Sequence, residues 1–325
     1  MKAARQAAFF LVKKNQHFVM ELTALASVIK TFIEHDPVGF AVPVFILFIL
    51  AELYLSYRES LELYKGKDAW ASIAMGLGSV FVNLFSKSIY FLLFNFIHQN
   101  FRLFNINSEH IWAWVLLFFL DDFSFYWHHR LSHQIEILWA AHSNHHSSEY
   151  YNFSTALRQS WTEFLYKYIF WVPIAFLGFP PMMIFTMISF SLIYQFFLHT
   201  ETVRKLGFFE LIFNTPSHHR VHHATNLQYL DKNHAGILII WDKIFGTFEP
   251  ENEENKPVFG LTKNICTFNP VKIAFAEYAE ILQNLRNAKS FAEVMKYLFY
   301  PPGWSPDGRS KTTRELLGHV KNNSK

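Results

Sequence analysis

Apolar residues are gathered into long runs separated by polar stretches. Runs at about residues 42–57, 73–97 and 111–127 approach the length of a membrane helix, which needs roughly 20 apolar residues to cross a bilayer core about 30 Å thick. Two shorter runs, 164–177 and 182–198, meet at Gly178-Phe179-Pro180-Pro181. That Gly/Pro cluster is a turn signal, so they are expected to form a helical hairpin with arms short for full crossings. Polar sequence begins at His128, continues to about Ser160 and resumes at His199. If the third helix exits on one face and the hairpin leaves from and returns to it, both polar stretches share that face. After Trp241 the pattern is that of a peripheral tail, with 271–298 compatible with amphipathic helix.

Charge suggests an orientation. The loop after the first run carries Arg58, Lys65 and Lys67, and the loop after the second only Arg102, which makes the histidine face cytoplasmic. By the same count Lys2, Arg5, Lys13 and Lys14 fall on the opposite side. An in-plane or additional helix between His17 and Phe32 would reconcile them, although Glu21 and Lys30 make it a poor crossing segment, and the conflict stays open. The brief apolar patch at 7–12 lacks the core of a cleavable signal peptide, so this segment is expected to be retained. The expected layout is an N-terminal segment (1–41), membrane helices with the first two histidine motifs (42–200), and a cap with the third motif and peripheral C-terminal helices (201–325). The fold class is all-α, an integral-membrane helical bundle with a cytoplasmic histidine-rich di-metal cap.

Composition narrows the chemistry. The 325 residues are 51% hydrophobic and 18% aromatic, yet mean hydropathy is only +0.10, so a substantial polar part accompanies the apolar one. A net charge of +3, without a Lys/Arg-rich run, points away from nucleic acid as a partner. Cys266 is the only cysteine, which excludes an intramolecular disulfide, a Cys-ligated iron–sulfur cluster and a Cys-rich zinc site. Any metal must use nitrogen or oxygen.

Of 17 histidines, 12 lie between His128 and His234. They form three motifs: His129-Arg-Leu-Ser-His133, His142-Ser-Asn-His145-His146, and His218-His219-Arg-Val-His222-His223, with His199 after the last apolar run. Spacings of three and four put side chains on one helical face. Adjacent histidines differ by about 100° around a helix, so a His-His pair can serve two metals. Taken singly, each is more often a surface or capped residue. Crowded together as neutral rings they need many hydrogen-bond partners, and as charged rings they repel, whereas metal satisfies them collectively. Imidazole suits Zn, Cu, Fe and Ni alike. A hydrolytic zinc site needs only about three protein ligands, so eight or nine histidines suggest two metals. Iron fits a lipid-facing site, because unactivated C–H bonds require oxygen chemistry.

With an HxxxH, an HxxHH and an HHxxHH motif between about Asp121 and Glu249, the chain resembles the fatty acid hydroxylase and sterol desaturase superfamily. SSEYYNFSTALRQS from Ser147, NTPSHHRVHH from Asn214 and LIIWDKIFGTFE from Leu238 resemble its ether-lipid-cleaving members in particular. The resemblance implies a centre of two Fe ions, use of O2, and tetrahydrobiopterin as reductant. It also implies His129, His133, His142, His145, His146, His219, His222 and His223 as ligands, with His199 as a ninth. His128 would give an HxxxxH variant, and His129 is favoured over it. His218 is a candidate ligand or hydrogen-bonding neighbour, and His234 stands where the family commonly has Tyr. Asp121, Asp122, Glu149, Glu163, Glu201, Asp231 and Asp242 lie near the motifs. Some of them, with Asp122 and Glu201 singled out, are candidates to orient ligand rings, against the plainer expectation of ion pairs with Arg130, Arg158 or Arg220. The implied activity is O2-dependent oxidation of a lipid chain, ether cleavage favoured, with a bilayer, a lipid substrate and an electron donor as partners. Sterol or acyl desaturation or hydroxylation is the alternative within the class, and a membrane metal transporter or metal-binding protein the alternative outside it. Transporter sites normally lie near the midplane on broken helices.

Overall fold

The computed structural model describes residues 36–323, and the proposed in-plane segment before them lies outside the described residues. The described chain is helical, without a strand. In order it contains α1 (Pro37–Arg58), α2 (Gly66–Phe101), α3 (Ile111–Gln134), α4 (Glu136–His146), α5 (Val172–Leu177), α6 (Pro181–Phe196), α7 (Pro216–His222), α8 (Ile240–Phe245), α9 (Pro270–Asn287), α10 (Phe291–Phe299) and α11 (Thr313–Asn323).

Asp36 caps α1 by accepting from the Val38 N–H at 3.0 Å, and Pro37 occupies the first turn, where no N–H is needed. α1 and α2 are long and apolar enough to cross a membrane. Both present apolar side chains outward: Phe40, Leu47, Leu77, Val80 and Phe81 are all exposed. Such a surface suits an apolar surrounding such as a bilayer. At 36 residues α2 is about 54 Å long, so it extends beyond a bilayer core.

α3 does not end where its apolar run does. It continues to Gln134 and carries Asp121, Asp122, His128, His129 and His133 on one uninterrupted rod. The expected hairpin forms, but its first arm is irregular, with 3-10 turns over Lys167–Trp171 before the short α5. Pro173 lacks the N–H that would extend regular helix backward. Gly178 ends α5 at φ +108°, where a Cβ would collide with the Phe104 carbonyl oxygen, so only glycine fits the turn. Phe94, Leu117, Trp171, Ile174 and Ile184 are buried together where α2, α3, α5 and α6 meet.

The segment expected to be a peripheral tail is packed closely onto the histidine region. α9 lies against α4, the Asn144 side chain donates to the Ala274 carbonyl, and Ile273 and Ala274 bury themselves against Ala71 and Met75 of α2. Part of the amphipathic pattern at 271–298 thus finds its apolar partner within the protein, through Ile273, Ala274 and Ile281, whereas α10 buries no residue and leaves Phe291 exposed.

Candidate metal centre

α3 supplies His129 and His133, α4 supplies His142, His145 and His146, α7 and its cap supply His219, His222 and His223, and His199 follows α6. All nine rings are buried. They divide into two groups, His129, His133, His142, His146 and His222 in one, and His145, His199, His219 and His223 in the other, with ligand atoms in each within 4.8 Å of one another.

The division follows helix geometry more finely than a shared face. A spacing of four keeps a pair together, as in His129/His133, His142/His146 and His219/His223, while a spacing of three separates His142 from His145 and His219 from His222. Residues four apart are offset by about 40° around a helix and residues three apart by about 60° the other way. Between two nearby centres that sign decides the partner. The adjacent pairs, His145/His146 and His222/His223, also split between groups.

Second-nitrogen contacts set the tautomers. His129 Nδ1 donates to the His234 carbonyl at 2.8 Å, His222 Nδ1 to Lys232 at 2.9 Å, His199 Nδ1 to Gln195 at 2.8 Å and His145 Nδ1 to Arg158 at 3.3 Å. A carbonyl only accepts, so each Nε2 of these rings carries a lone pair. The Nε2 atoms of His145 and His199 then face one another at 3.1 Å, and His219 Nε2 approaches His199 Nε2 at 3.2 Å. In the other group His142 Nε2 lies 3.0 Å from His129 Nε2 and 3.1 Å from His146 Nε2. The buried Nε2 atoms of His133, His222 and His223 have no hydrogen-bond partner. Opposed lone pairs and orphaned nitrogens are costly in a protein interior. A cation with metal–nitrogen bonds of about 2.1 Å separates neighbouring ligand nitrogens by about 3 Å and answers each of these contacts. Burial first, and then charge on neighbouring imidazoles, pushes His145, His146, His219, His222 and His223 well below the ordinary imidazole value, towards the neutral form that ligates.

Three candidate histidines stand outside both groups. His128 turns away: its Nε2 lies 3.6 Å from Glu163 Oε1, and its ring stacks on Tyr166. His218 approaches Glu210 at 4.0 Å and packs on Phe248. His234 orders the site through its carbonyl, while its Nε2 donates to the Asp231 carbonyl at 3.0 Å and its ring lies 5.0 Å from that of His133.

Asp122 takes neither expected role, while Glu201 stands within reach of the charge of Arg220. Asp122 accepts from the backbone N–H groups of Ile237 and Leu238 at 2.7 and 3.0 Å and from Trp241 Nε1 at 2.9 Å. It therefore anchors the segment after His234, and touches neither a ligand ring nor an arginine. Asp121 accepts from Trp171 at 2.7 Å. Glu201 sits on an exposed turn, Arg158 pairs with Asp68, and Arg220 pairs with Glu251 at 2.7 Å. The acidic groups nearest the ligands are Glu163, 3.8 Å from His142 Nδ1, and Asp231, 3.6 Å from His133 Nδ1. Burial would raise Glu163, but Lys167, with His142 and His128, outweighs it and holds the carboxylate well below its ordinary value. Both belong to the acidic residues near the motifs, and the fold selects them: Glu163 from a short 3-10 turn and Asp231 from the turn before His234.

A cavity of about 740 Å³ opens onto this centre, bringing His129, His142, His145, His199 and His219 to the end of an otherwise largely apolar space between α1, α2 and α6.

Residues 114–247, which include all nine grouped histidines, match the family model described as Fatty acid hydroxylase. The chain is 46% identical over 293 residues to alkylglycerol monooxygenase of Homo sapiens, covering 87% of this chain and 64% of that protein. Against alkylglycerol monooxygenase of Danio rerio, identity is 42% over 267 residues, covering 82% and 59%. A more distant relative, ornithine lipid hydroxylase OlsE of Rhizobium tropici, is 28% identical over 153 residues, covering 47% and 46%. The chain thus spans about three fifths of the alkylglycerol monooxygenases just described. No solved structure matches it.

Proposed function

We propose that this chain, whose residues 114–247 match the fatty acid hydroxylase family model, is a membrane di-iron monooxygenase that cleaves ether lipids. The observation that carries this reading is the pair of all-histidine groups at the end of an apolar cavity. One group would take each iron, and iron bound there would supply the activation of O2. One oxygen atom would enter the lipid and the other leave as water, with two electrons and two protons drawn from a reductant, for which tetrahydrobiopterin is the first choice. A hydroxyl placed on the carbon beside an ether oxygen yields a hemiacetal, which separates into a fatty aldehyde and the freed alcohol.

The protein's own side chains have definable tasks. Backbone carbonyls of Arg158, Gln195, Lys232 and His234 hold ligand rings in the tautomer that presents Nε2. Glu163 and Asp231 supply negative charge beside His142 and His133. Phe125, Leu157 and Phe196 line the cavity and exclude water from it. A cytoplasmic position for the centre is supported by the loop bearing Arg58 and Lys65, which lies at the histidine end, where Asn152 donates to the Leu63 carbonyl at 2.7 Å.

The test is O2-dependent release of fatty aldehyde from an alkylglycerol by iron-loaded protein in membranes supplied with tetrahydrobiopterin. The relationship to an ornithine lipid hydroxylase favours hydroxylation of a lipid without ether cleavage as the second reading. A stable hydroxyl or a new double bond in an acyl or sterol lipid, with alkylglycerols untouched, would refute ether cleavage and leave the di-iron assignment in place.

A further inference from the structure

The cavity has a second end with different chemistry. Its wall on α2 runs from Ile73 to Lys87 and on α1 from Val38 to Leu50, stretches of about 21 and 18 Å at 1.5 Å per residue. Towards the end remote from the histidines, Lys87 Nζ lies 2.6 Å from Asp36 Oδ2, and Ser189 Oγ donates to Asp36 Oδ1 at 2.8 Å. The two charged side chains are only 14% and 15% exposed, and both line the cavity. Charge is expensive within apolar surroundings and is retained there chiefly where it serves a site.

We propose that the Asp36–Lys87 pair is the end stop of a slot for one saturated lipid tail and sets the longest alkyl chain the protein accepts. The occupant rests on the lipid-oxygenase reading above. A tail starting at the histidines covers apolar wall, including Ile188 and Leu192 of α6, until its methyl end meets the pair. Further advance would pull these buried charges away from each other, which is strongly unfavourable. The wall is a few ångströms longer than the roughly 15 Å that a tail covers on average in half of a bilayer core, so a tail reaches the pair only when it is long and fully extended.

The test reads binding as well as turnover. Full-length protein in lipid nanodiscs is titrated with 1-O-alkylglycerols of graded saturated chain length, competing against a fluorescent alkyl probe. Affinity should rise roughly fourfold per methylene while each finds apolar wall, then stop rising at one length. In Asp36→Asn/Lys87→Met, which retains an acceptor for the Val38 N–H but removes both charges, the rise should continue for at least two further methylenes. Leu192→Trp, which narrows the slot midway, should end the rise at least two methylenes earlier. The same limit in all three proteins overturns the proposal, and so does an equal loss at every length in the double variant, the signature of a helix staple alone. If the double variant does not fold, Lys87→Arg keeps the charge and adds bulk, and an unchanged limit in that variant overturns the proposal. A shifted limit without aldehyde release leaves the stop standing and defeats ether cleavage, whereas aldehyde release with an unmoved limit does the reverse.

Discussion

The two histidine groups both draw ligands from α4 and from α7 with its cap, yet they are supported differently. The five-histidine group has Glu163 and Asp231 beside it, and both carboxylates lie within 4 Å of a ring nitrogen. The four-histidine group has neutral neighbours at its ring nitrogens, the Gln195 and Arg158 carbonyls, and Tyr151 stacks on His199. Anionic partners raise the basicity of ligand imidazoles, and neutral ones do so less. The comparison teaches that two sites of similar ligand type can differ in affinity and electronic tuning through residues that never touch the metal.

The largest effect should come from removing a ligand from one group at a time. His222→Ala should lower iron content from about two per chain towards one by emptying the five-histidine group, and His223→Ala should do the same at the four-histidine group. Both should abolish turnover, as read by elemental analysis beside an aldehyde assay. A single metal per fully loaded wild-type chain would dismantle the two-centre comparison.

Next in size is Glu163→Gln, which should weaken metal retention about 10- to 100-fold at the five-histidine group, where the carboxylate lies 3.8 Å from His142 Nδ1, and less at the other, which it reaches only through the charge it sets beside His145. Chelator competition with the two sites resolved spectroscopically would measure this, and equal weakening at both would erase the electrostatic distinction. His128→Phe should leave metal content close to wild type, since His128 belongs to neither group. Loss of a whole metal in that variant would return His128 to the ligand set.

The smallest effect should fall on both groups together, through the shared helix α4. Glu136 at its start faces Glu277 of α9, and burial first, then the charge of Glu277, raises the Glu136 carboxyl above its ordinary value. The folded chain then keeps a proton that the unfolded chain has already lost, so stability falls as pH rises from the ordinary carboxyl range towards the raised value. Glu136→Gln should flatten this slope, a change in Tm on the order of 2 °C. Thermal melts across that range would show it, and an unchanged slope would rule out the pair as its cause.

The identity of the candidate ligands was legible because a histidine is visible wherever it falls, and because parity of the apolar runs predicts that the polar stretches share one end. The hairpin was legible from Gly178 and its prolines. Glu163 and Asp231 were legible only as two of several acidic residues near the motifs. The carbonyl acceptors were not legible at all, because a backbone carbonyl has no residue type to mark it and most of the four meet the rings from other segments, such as His234 against His129. The tail's role was hidden for a related reason: an amphipathic helix declares that it has an apolar face, but not whether that face meets lipid or, as in α9, the helix that bears the histidines.

By itself the sequence determined the donor chemistry, the helical class and the concentration of imidazoles at one end, because residue type and helical period are local properties. Only the tertiary structure decided which ring joins which group. The two groups draw on neighbouring parts of the same helix faces, so a 40° turn one way or a 60° turn the other selects between them, and neither centre's position is written in any one segment. The tertiary structure likewise brought Asp36 to Lys87 across 51 residues of chain, because a cavity wall is made by helices that become neighbours only on folding.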